Sequence, residues 1–297
     1  MTAALITIAL LLVAAVIVVL ARRRAHVGEQ KPLEGVVEHP GPAARGEPLP
    51  VVLVHGLFGF DRVGIPGMRL HYFRGIVEHL EGLGCHAHAV RLPGAASVPE
   101  RAQRLVEAVT ALGHERVDII AHSMGGLDAR YAVARLGLAS RVRSLVTVGT
   151  PHRGSPIADL ATGGGPLSIA RKALGAIVKL EAVDWLTTEA LERFNRDVVD
   201  APGVRYGCVV GAIRNDATPI APVLMAAHAY LRKVAGANDG LVPLASQYWG
   251  ETLAEIEADH AAQIGWVFGR KQVFDALGLY AFIVARLGDA PAARLTA

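Results

Sequence analysis

The sequence has little that would place it among disulfide-rich, metal-binding or nucleic-acid-binding proteins. It contains two cysteines, Cys85 and Cys208, and neither lies in a CxxC or metal-ligand spacing. They are expected to be buried thiols, although a disulfide between them stays open. Aromatic residues make up only 5% of the chain, so aliphatic side chains must fill most of the core. The chain has no long basic run, so no nucleic acid is expected as a partner.

Charged side chains are absent from residues 1–21, and Arg22, Arg23 and Arg24 follow directly. A helix over residues 3–20 would be about 27 Å long, which is close to the hydrocarbon thickness of a bilayer. We therefore expect an uncleaved transmembrane anchor over residues 1–24. A cleaved signal peptide is an alternative, but no basic segment precedes the apolar stretch. A buried core helix is another, but it would need covering on all sides.

The three arginines account for the formal net charge of +3 of the whole chain. The positive-inside rule places them, and with them the following domain, on the cytoplasmic side, although large domains can translocate against this bias. Residues 25–49 are interrupted by proline and glycine and are predicted to be a linker. A short strand around residues 35–38 is the alternative for that piece. Residues 50–297 suffice for one domain with a sizeable core.

After residue 50, short apolar runs alternate with helical spacing of apolar residues. This alternation is typical of the α/β class, with a mostly parallel sheet covered by helices on both faces. Residues 155–200 interrupt it and are interpreted as an insertion over the site, either a mobile lid or rigidly packed crossover helices. The predicted strands are 51–54, 86–90, 117–121, 145–148 and 206–210. The predicted helices are 72–80, 99–112, 125–136, 167–180 and 188–199.

The strongest local pattern is an apolar strand that runs into Ala-His-Ser-Met-Gly-Gly, residues 121–126, and then into a helix. A nucleophile at a sharp strand-to-helix turn has strained backbone angles. Its neighbours two positions before and after must be small, as Ala121 and Gly125 are, so that strand and helix can approach. We predict that Ser123 is a nucleophile, and a serine that only caps the helix is the alternative.

A second apolar strand ends in His-Gly-Leu-Phe-Gly-Phe, residues 55–60. A tetrahedral intermediate needs two preset N–H donors around its oxyanion, and we assign them to the backbones of Leu57 and Met124. His55 is expected to brace this loop through hydrogen bonds. Phe58 and Phe60 are tentative substrate-binding residues, with interior packing as the alternative.

A nucleophilic serine needs a base that is oriented by a third group. At strand-turn-helix nucleophiles of this kind the acid and then the histidine follow the serine in the chain. Of the 12 histidines, His228 and His260 lie well after Ser123 with room for an acid between. His228 lies in an apolar helical stretch, which favours packing, so we choose His260 as the base.

The predicted acid is Asp239, which lies in a polar turn, Asn-Asp-Gly, that leads into an apolar stretch. Asp184 and Asp216 are alternative acids. Asp259 is the immediate neighbour of His260 and is poorly placed to reach the Nδ1–H of that ring. The predicted constellation is therefore Ser123, Asp239 and His260.

Together these motifs resemble the bacterial triacylglycerol lipases, the true lipases of the α/β-hydrolase superfamily. The resemblance extends over about residues 50–266. Its parts, in the order of that family, are residues 54–60, 121–126, 150–155, 186–195, 238–242 and 259–260. It implies an α/β-hydrolase fold, a serine esterase mechanism with a triad of Ser123, Asp239 and His260, and no cofactor.

Two departures from the family pattern matter. Family members often hold a structural calcium through an aspartate two residues after the histidine, where this chain has Ala262, so no metal is predicted there. Many secreted relatives also have a disulfide late in the domain, and here Cys208 has only Cys85 as a possible partner. Both losses fit a protein that is not built for the extracellular medium.

The resemblance implies hydrolysis of carboxylic esters, above all lipid esters of the acylglycerol type. The expected membrane contact through the N-terminal helix comes from the uncharged stretch instead, and such an anchor is unusual for the secreted members of the family. The enzymatic alternatives are a short-chain carboxylesterase or thioesterase, and an acyltransferase in which an alcohol replaces water. An alternative of another class is an inactive, membrane-tethered binding module with a hydrolase fold. Acyl length, headgroup and oligomeric state are not decided by the sequence.

Overall fold

A computed structural model describes residues 37–38, 48–57, 71–163, 181–268 and 274–288. Its strands are β1 (Val37–Glu38), β2 (Val51–Val54), β3 (Ala87–Val90), β4 (Val117–His122), β5 (Val142–Val148), β6 (Arg205–Gly211) and β7 (Glu251–Ile256). They form one sheet in the order β1-β7-β6-β5-β4-β2-β3. Only the β1–β7 pair is antiparallel among these described strands.

The helices connect and cover these strands. They are α1 (Ile76–Gly82), α2 (Val98–Ala111), α3 (Gly125–Arg135), α4 (Pro156–Thr162), α5 (Glu181–Asp184), α6 (Thr188–Asp197), α7 (Met225–Val234), α8 (Leu244–Gln247) and α9 (Ala276–Val284). Short 3₁₀ turns occur at Leu138–Arg141, Pro222–Leu224 and Ala262–Ile264.

The core lies on both faces of the sheet, as β2 illustrates. Successive side chains of a strand point to opposite faces. Val51 and Leu53 therefore belong to an apolar cluster with α1 and α9. Val52 and Val54 belong to a second cluster with α2 and α3. Because both faces are covered, β2 and β4 are buried along their whole length; β2 is entirely apolar, and β4 is apolar except for Asp118 and His122.

The predicted α/β class is confirmed, and each of the five predicted strands is present with ends shifted by no more than a few residues. Strand β7 was not predicted, because its sequence Glu-Thr-Leu-Ala-Glu-Ile is half polar. Val37–Glu38 pairs with it, so a short strand lies inside the segment predicted as a linker. The first predicted helix begins at Ile76 rather than at residue 72, since Gly75 adopts a left-handed conformation with φ of 69°.

The described part of the predicted insertion at 155–200 packs tightly against the rest of the domain. Leu191 and Phe194 of α6 are buried in a cluster with Met124. The Thr188 amide and hydroxyl both donate to the Asp159 carboxylate of α4. The packed-helix interpretation therefore describes α4 and α6, whereas the predicted helix at 167–180 lies outside the described residues.

The predicted anchor, residues 1–24, also lies outside the described residues. Among the helices that are described, none combines the length and the apolar character needed to cross a bilayer.

Candidate active site

Ser123 occupies the sharp turn between β4 and α3. Its φ of 57° lies in the left-handed region, where a residue with a Cβ is strained. The turn also needs small neighbours. A Cβ at Gly125 would come within 2.6 Å of the Val54 carbonyl oxygen, and one at Gly126 would overlap Thr150. The sequence pattern Ser-x-Gly-Gly therefore corresponds to a strained turn that presents the serine hydroxyl at the carboxyl end of β4.

The loop after β2 lies directly against this turn. A Cβ at Gly56 would lie 2.7 Å from the Ser123 Cβ and 3.1 Å from its Oγ, so only glycine fits. Leu57 follows in the loop and packs in the same apolar cluster as Met124. The Ser123 backbone N–H donates to the Val148 carbonyl oxygen, and Met124 is the N-cap residue of helix α3. The two residues assigned to an oxyanion hole thus flank the serine, while Phe58 and Phe60 lie outside the described residues.

His260 and Asp239 reach Ser123 from the other side. The His260 Nε2 lies 2.9 Å from the Ser123 Oγ, and its Nδ1 lies 2.7 Å from the Asp239 Oδ2. The His260 backbone N–H also donates to the Asp239 carbonyl oxygen, which ties the two loops together. The structure brings together the three side chains that the sequence analysis selected, although 137 positions separate Ser123 from His260.

Asp239 is fully buried, and both of its carboxylate oxygens have donors. Oδ1 accepts the amide N–H groups of Leu241 and Val242 at 3.0 and 2.8 Å. Oδ2 accepts His260 and also the Gln263 side-chain N–H at 3.1 Å. These donors hold both oxygens of the carboxylate in place, with Oδ2 facing the imidazole of His260.

A second histidine, His122, lies beside the first, with 4.5 Å between the ring centroids. Its Nδ1 lies 2.7 Å from the Tyr72 hydroxyl, and its Nε2 lies 3.2 Å from the Gln263 Oε1. Burial, reinforced by the neighbouring His260, lowers the pKa of His122 well below its usual value. Burial also raises the pKa of the Tyr72 hydroxyl. Both groups therefore stay neutral at ordinary pH.

A buried guanidinium braces the loop side of the site. Arg101 of α2 donates to the His55 carbonyl at 2.7 Å and to the Asp128 carboxylate of α3 at 2.8 Å. It also donates to the Pro93 carbonyl at 2.6 Å. His55 itself bonds to the Gly56 carbonyl and accepts the Leu92 N–H. Arg101 thereby links the loop after β2 to the helix that carries the serine turn.

The alternative acids and base have other partners. Asp216 forms a surface ion pair with Arg232. The His228 Nδ1 bonds to the Asn238 Oδ1 at 2.8 Å, in the turn before Asp239. Asp259 accepts the amide N–H groups of residues 221, 261 and 262, so it shapes the turn that carries His260.

Within the described part of the chain, no group of three or more His, Cys, Asp or Glu side chains is arranged to hold a metal. Ala262, at the position where calcium was considered, is buried at the start of a 3₁₀ turn. Cys85 and Cys208 are both free thiols.

Three residues of the site were missed by sequence reasoning, namely Tyr72, Arg101 and Gln263. Arg101 is a charged residue in a helix that looks amphipathic, and nothing in its spacing marks it as fully buried. Gln263 lies three residues after His260, which places it on the same turn, and that spacing was the one signal that could have pointed to it.

The comparisons with known proteins agree with the α/β fold described above. Residues 50–177 match the family model of the α/β-hydrolase fold. Triacylglycerol lipase 2 of Saccharomyces cerevisiae is 29% identical over 73% of this chain and 80% of its own length. A triacylglycerol lipase of Pseudarthrobacter phenanthrenivorans is 30% identical over 55% of this chain, and the match spans 58% of that lipase.

Among solved structures, a metagenomic carboxyl esterase superposes with a TM-score of 0.67 and 22% identity, covering 88% of this chain and 81% of the esterase. This likeness concerns the fold, since the identity is low. These likenesses support an assignment of the chain to the α/β-hydrolase superfamily, and the sequence relatives are named triacylglycerol lipases.

Proposed function

We propose that this protein is a serine hydrolase that cleaves carboxylic esters through an acyl-enzyme on Ser123. The observation that carries the proposal is the unbroken line of hydrogen bonds from the Ser123 Oγ through His260 to Asp239, with distances of 2.9 and 2.7 Å. The lipase and esterase relatives support carboxylic ester hydrolysis as the reaction class.

In the proposed mechanism, the Ser123 Oγ attacks the ester carbonyl carbon while the His260 Nε2 takes the hydroxyl proton. The tetrahedral intermediate collapses as Nε2–H gives that proton to the leaving alkoxide, and the alcohol departs. Water then attacks the acyl-enzyme with His260 as the base, which releases the acid and restores the serine. Asp239 orients the imidazole through Nδ1–H and stabilises its protonated form in both steps.

We assign the stabilisation of the oxyanion in each tetrahedral intermediate to the backbone N–H groups of Leu57 and Met124, which donate to it. The close contact between Gly56 and Ser123 supports this assignment, because it puts the next amide of the loop near the reacting oxygen. The Ser123 amide already donates to Val148, so the amide of the following residue is the available donor at the helix start. The helix dipole of α3 adds partial positive charge at that point.

The test is Ser123→Ala, assayed with 4-nitrophenyl acyl esters. We expect kcat to fall by about 10⁴-fold or more, since removal of a triad member leaves only the oxyanion hole and substrate binding. Ser140→Ala is the matched control, because Ser140 is exposed and bonds only to the nearby Gly137 carbonyl. Circular dichroism of both variants checks the fold. Undiminished turnover by Ser123→Ala would refute the proposal.

We assign lipid esters as the substrate class, on the strength of the relatives that are named triacylglycerol lipases. The rival is a soluble short-chain ester, since one structural neighbour is named a carboxyl esterase. A series of acyl chain lengths, assayed in solution and in emulsion, separates the two. We expect kcat/KM to rise with chain length and with the presence of an interface. A maximum at the shortest soluble esters would favour the esterase.

The division into an anchor at 1–24, a linker at 25–49 and a hydrolase domain at 50–297 is part of the proposal, as is a helical cap at 155–200 to which the packed helices α4 and α6 belong. The uncharged stretch at 3–20 followed by three arginines supports the anchor and a cytoplasmic domain. Alkaline extraction of membranes from cells that express the whole chain tests it. We expect the protein to stay in the membrane pellet, and release into the supernatant would contradict the anchor.

A further inference from the structure

The side chain of Gln263 is completely buried and joins two parts of the site that the proposed mechanism treats separately. Its Nε2 lies 3.1 Å from the Asp239 Oδ2, and its Oε1 lies 3.2 Å from the His122 Nε2. The residue stands on the same turn as His260, three positions later. One amide therefore contacts both the proposed acid and the histidine that precedes the proposed nucleophile.

The chemistry of the partners fixes which way this amide points. An ionised carboxylate can only accept, so the amide must present its N–H₂ group to Asp239. Its oxygen then faces His122, which must carry its proton on Nε2 in order to donate. The His122 Nδ1 is thereby left as an acceptor for the Tyr72 hydroxyl. The hydrogen bonds therefore run in one direction: Tyr72 donates to His122, His122 donates to Gln263, and Gln263 donates to Asp239.

The sheet is shaped to admit the amide. A Cβ at Gly149, which follows β5, would overlap the Gln263 Oε1, and a Cβ at Gly211, the last residue of β6, would overlap its Nε2. Gly211 has no need of a left-handed conformation, so space for the amide accounts for the absence of a side chain there. Two neighbouring strands thus end in glycines that form the walls of one polar pocket.

We propose that Gln263 is a positioning residue, which holds the Asp239 carboxylate in line with His260 and holds His122 as a neutral neighbour. The inference rests on the proposed function of Ser123, His260 and Asp239. The titratable groups that face this amide are Asp239 and His122, and Tyr72 lies one hydrogen bond beyond.

The expected effect of Gln263 on the site comes from the Asp239 Oδ2, which Gln263 and His260 both contact. The Gln263 N–H and the His260 Nδ1–H both donate to Oδ2, so the amide fixes the carboxylate and takes up part of its charge. Without the amide, the Asp239 Oδ2 is held by His260 alone, because the Leu241 and Val242 amides bond to Oδ1. The charge of the carboxylate also becomes more concentrated on the oxygen that faces His260, which favours the protonated imidazole. Without the amide, we expect Asp239 and His260 to be correctly oriented for a smaller fraction of the time. We also expect His260 to stay protonated up to a higher pH.

The first experiment replaces the amide by an apolar side chain of similar length, Gln263→Met. We expect kcat on nitrophenyl esters to fall by about 10- to 100-fold, in line with the loss of a hydrogen bond to a charged group. KM should change by less than about twofold, because Gln263 is completely buried behind the site. The acid limb of the kcat/KM profile should move to higher pH.

The chain offers a matched control in Gln247. This second glutamine is equally buried and makes three hydrogen bonds, to both backbone groups of Gly211 and to the Val242 carbonyl. Among the described hydrogen bonds, Gln247 makes none to the side chains of Ser123, His260 or Asp239. Gln247→Met should lower the melting temperature at least as much as Gln263→Met does, and should leave the acid limb in place. Equal shifts of the acid limb in the two variants would overturn the proposal.

A double-mutant cycle tests whether Gln263 acts through Asp239. In an Asp239→Asn background, Gln263→Met should cost less than about twofold in kcat, since the group that the amide positions is already disabled. A further loss as large as in the wild type would assign Gln263 a merely structural role. Gln263→Leu, which removes the N–H donor without adding a charge, serves as the second variant if methionine does not fold, with the acid limb expected to move in the same direction.

One readout does not depend on turnover. NMR titration of the His260 imidazole gives the pH of half-protonation in the wild type, Gln263→Met and Gln247→Met. An upward move in Gln263→Met alone supports the positioning role, even if no ester is hydrolysed and the proposed function itself fails. No move in Gln263→Met overturns the inference, whatever the esterase assay shows.

Discussion

The two sides of Ser123 hold their buried carboxylates in different ways. On the acid–base side, Asp239 receives four N–H donors spread over both oxygens. On the loop side, Asp128 uses only Oδ2 for Arg101, and within the described chain its Oδ1 has no hydrogen-bond partner. Burial raises the pKa of Asp128 to about 7, against the opposing effect of Arg101.

The two carboxylates therefore have different roles. Asp239 supports proton transfer by His260, and Asp128 supports the position of the loop after β2. In the proposed mechanism Asp239 orients the His260 imidazole that gains a proton, and its donors hold the carboxylate in that position. Asp128 has a different task, since it helps to hold a guanidinium whose other contacts are backbone carbonyls of the loop after β2. The following predictions test this difference, beginning with the largest effect.

Asp239→Asn and Asp128→Asn make the same chemical change on the two sides. We expect Asp239→Asn to lower kcat by about 10⁴-fold, because asparagine cannot stabilise a protonated His260. Asp128→Asn should lower kcat far less and should mainly lower the free energy of unfolding, since it leaves Arg101 without its counter-charge. Steady-state kinetics and urea denaturation of both variants measure this. Equal losses of kcat would remove the distinction between the two sides.

Arg101→Met tests the brace itself. Removing one partner of a buried ion pair costs about 3–5 kcal/mol in the free energy of unfolding. Arg104→Met, on the same helix but exposed and paired with Glu107, should cost no more than about 0.5 kcal/mol. Arg101→Met should also lower kcat, because the loop that carries Leu57 loses its anchor. A stable and fully active Arg101→Met variant would show that this loop needs no brace.

The smallest effect concerns pH and the neutral histidines. Burial, as the largest cause, lowers the pKa values of His122 and His152 well below the usual value. The folded protein therefore keeps them neutral, while the unfolded chain binds protons below about pH 6.5. Their contribution to stability is present above that pH and is lost as the pH falls, by up to about 1.4 kcal/mol per pH unit for each histidine.

His152→Gln isolates one of these contributions away from the serine turn. Urea denaturation between pH 5 and 8 should show a flatter loss of stability on the acid side than in the wild type. His86→Gln, at an exposed position, should keep the wild-type slope. An unchanged slope in His152→Gln would mean that His152 is not held neutral by the fold.

The parts of the fold and site that follow from local pattern were accessible from the sequence. Apolar runs predicted five strands, and the small residues around Ser123 predicted its turn. Asp239 and His260 were found because the chemistry requires an acid and a base in a fixed order. The features that the sequence did not predict depend on contacts between residues that are far apart in the chain. Strand β7 is half polar and becomes a strand only beside β6.

The supporting residues of the site show the same limit. Arg101 bonds to residues 46 and 27 positions away, and Gln263 to one 141 positions away. A lone arginine in a helix and a lone glutamine after a histidine carry no periodic signal. Their roles follow only once the carboxyl ends of β2, β4, β5 and β6 are placed side by side.

The most direct test of the account is covalent labelling with a fluorophosphonate, followed by mass spectrometry of the intact protein and its peptides. The wild type should gain a single phosphonyl group, located on the peptide with Ser123. Ser123→Ala should gain none, and His260→Ala should react far more slowly. Labelling of another residue, or equal rates in the wild type and His260→Ala, would contradict the claim that these side chains form one reactive unit.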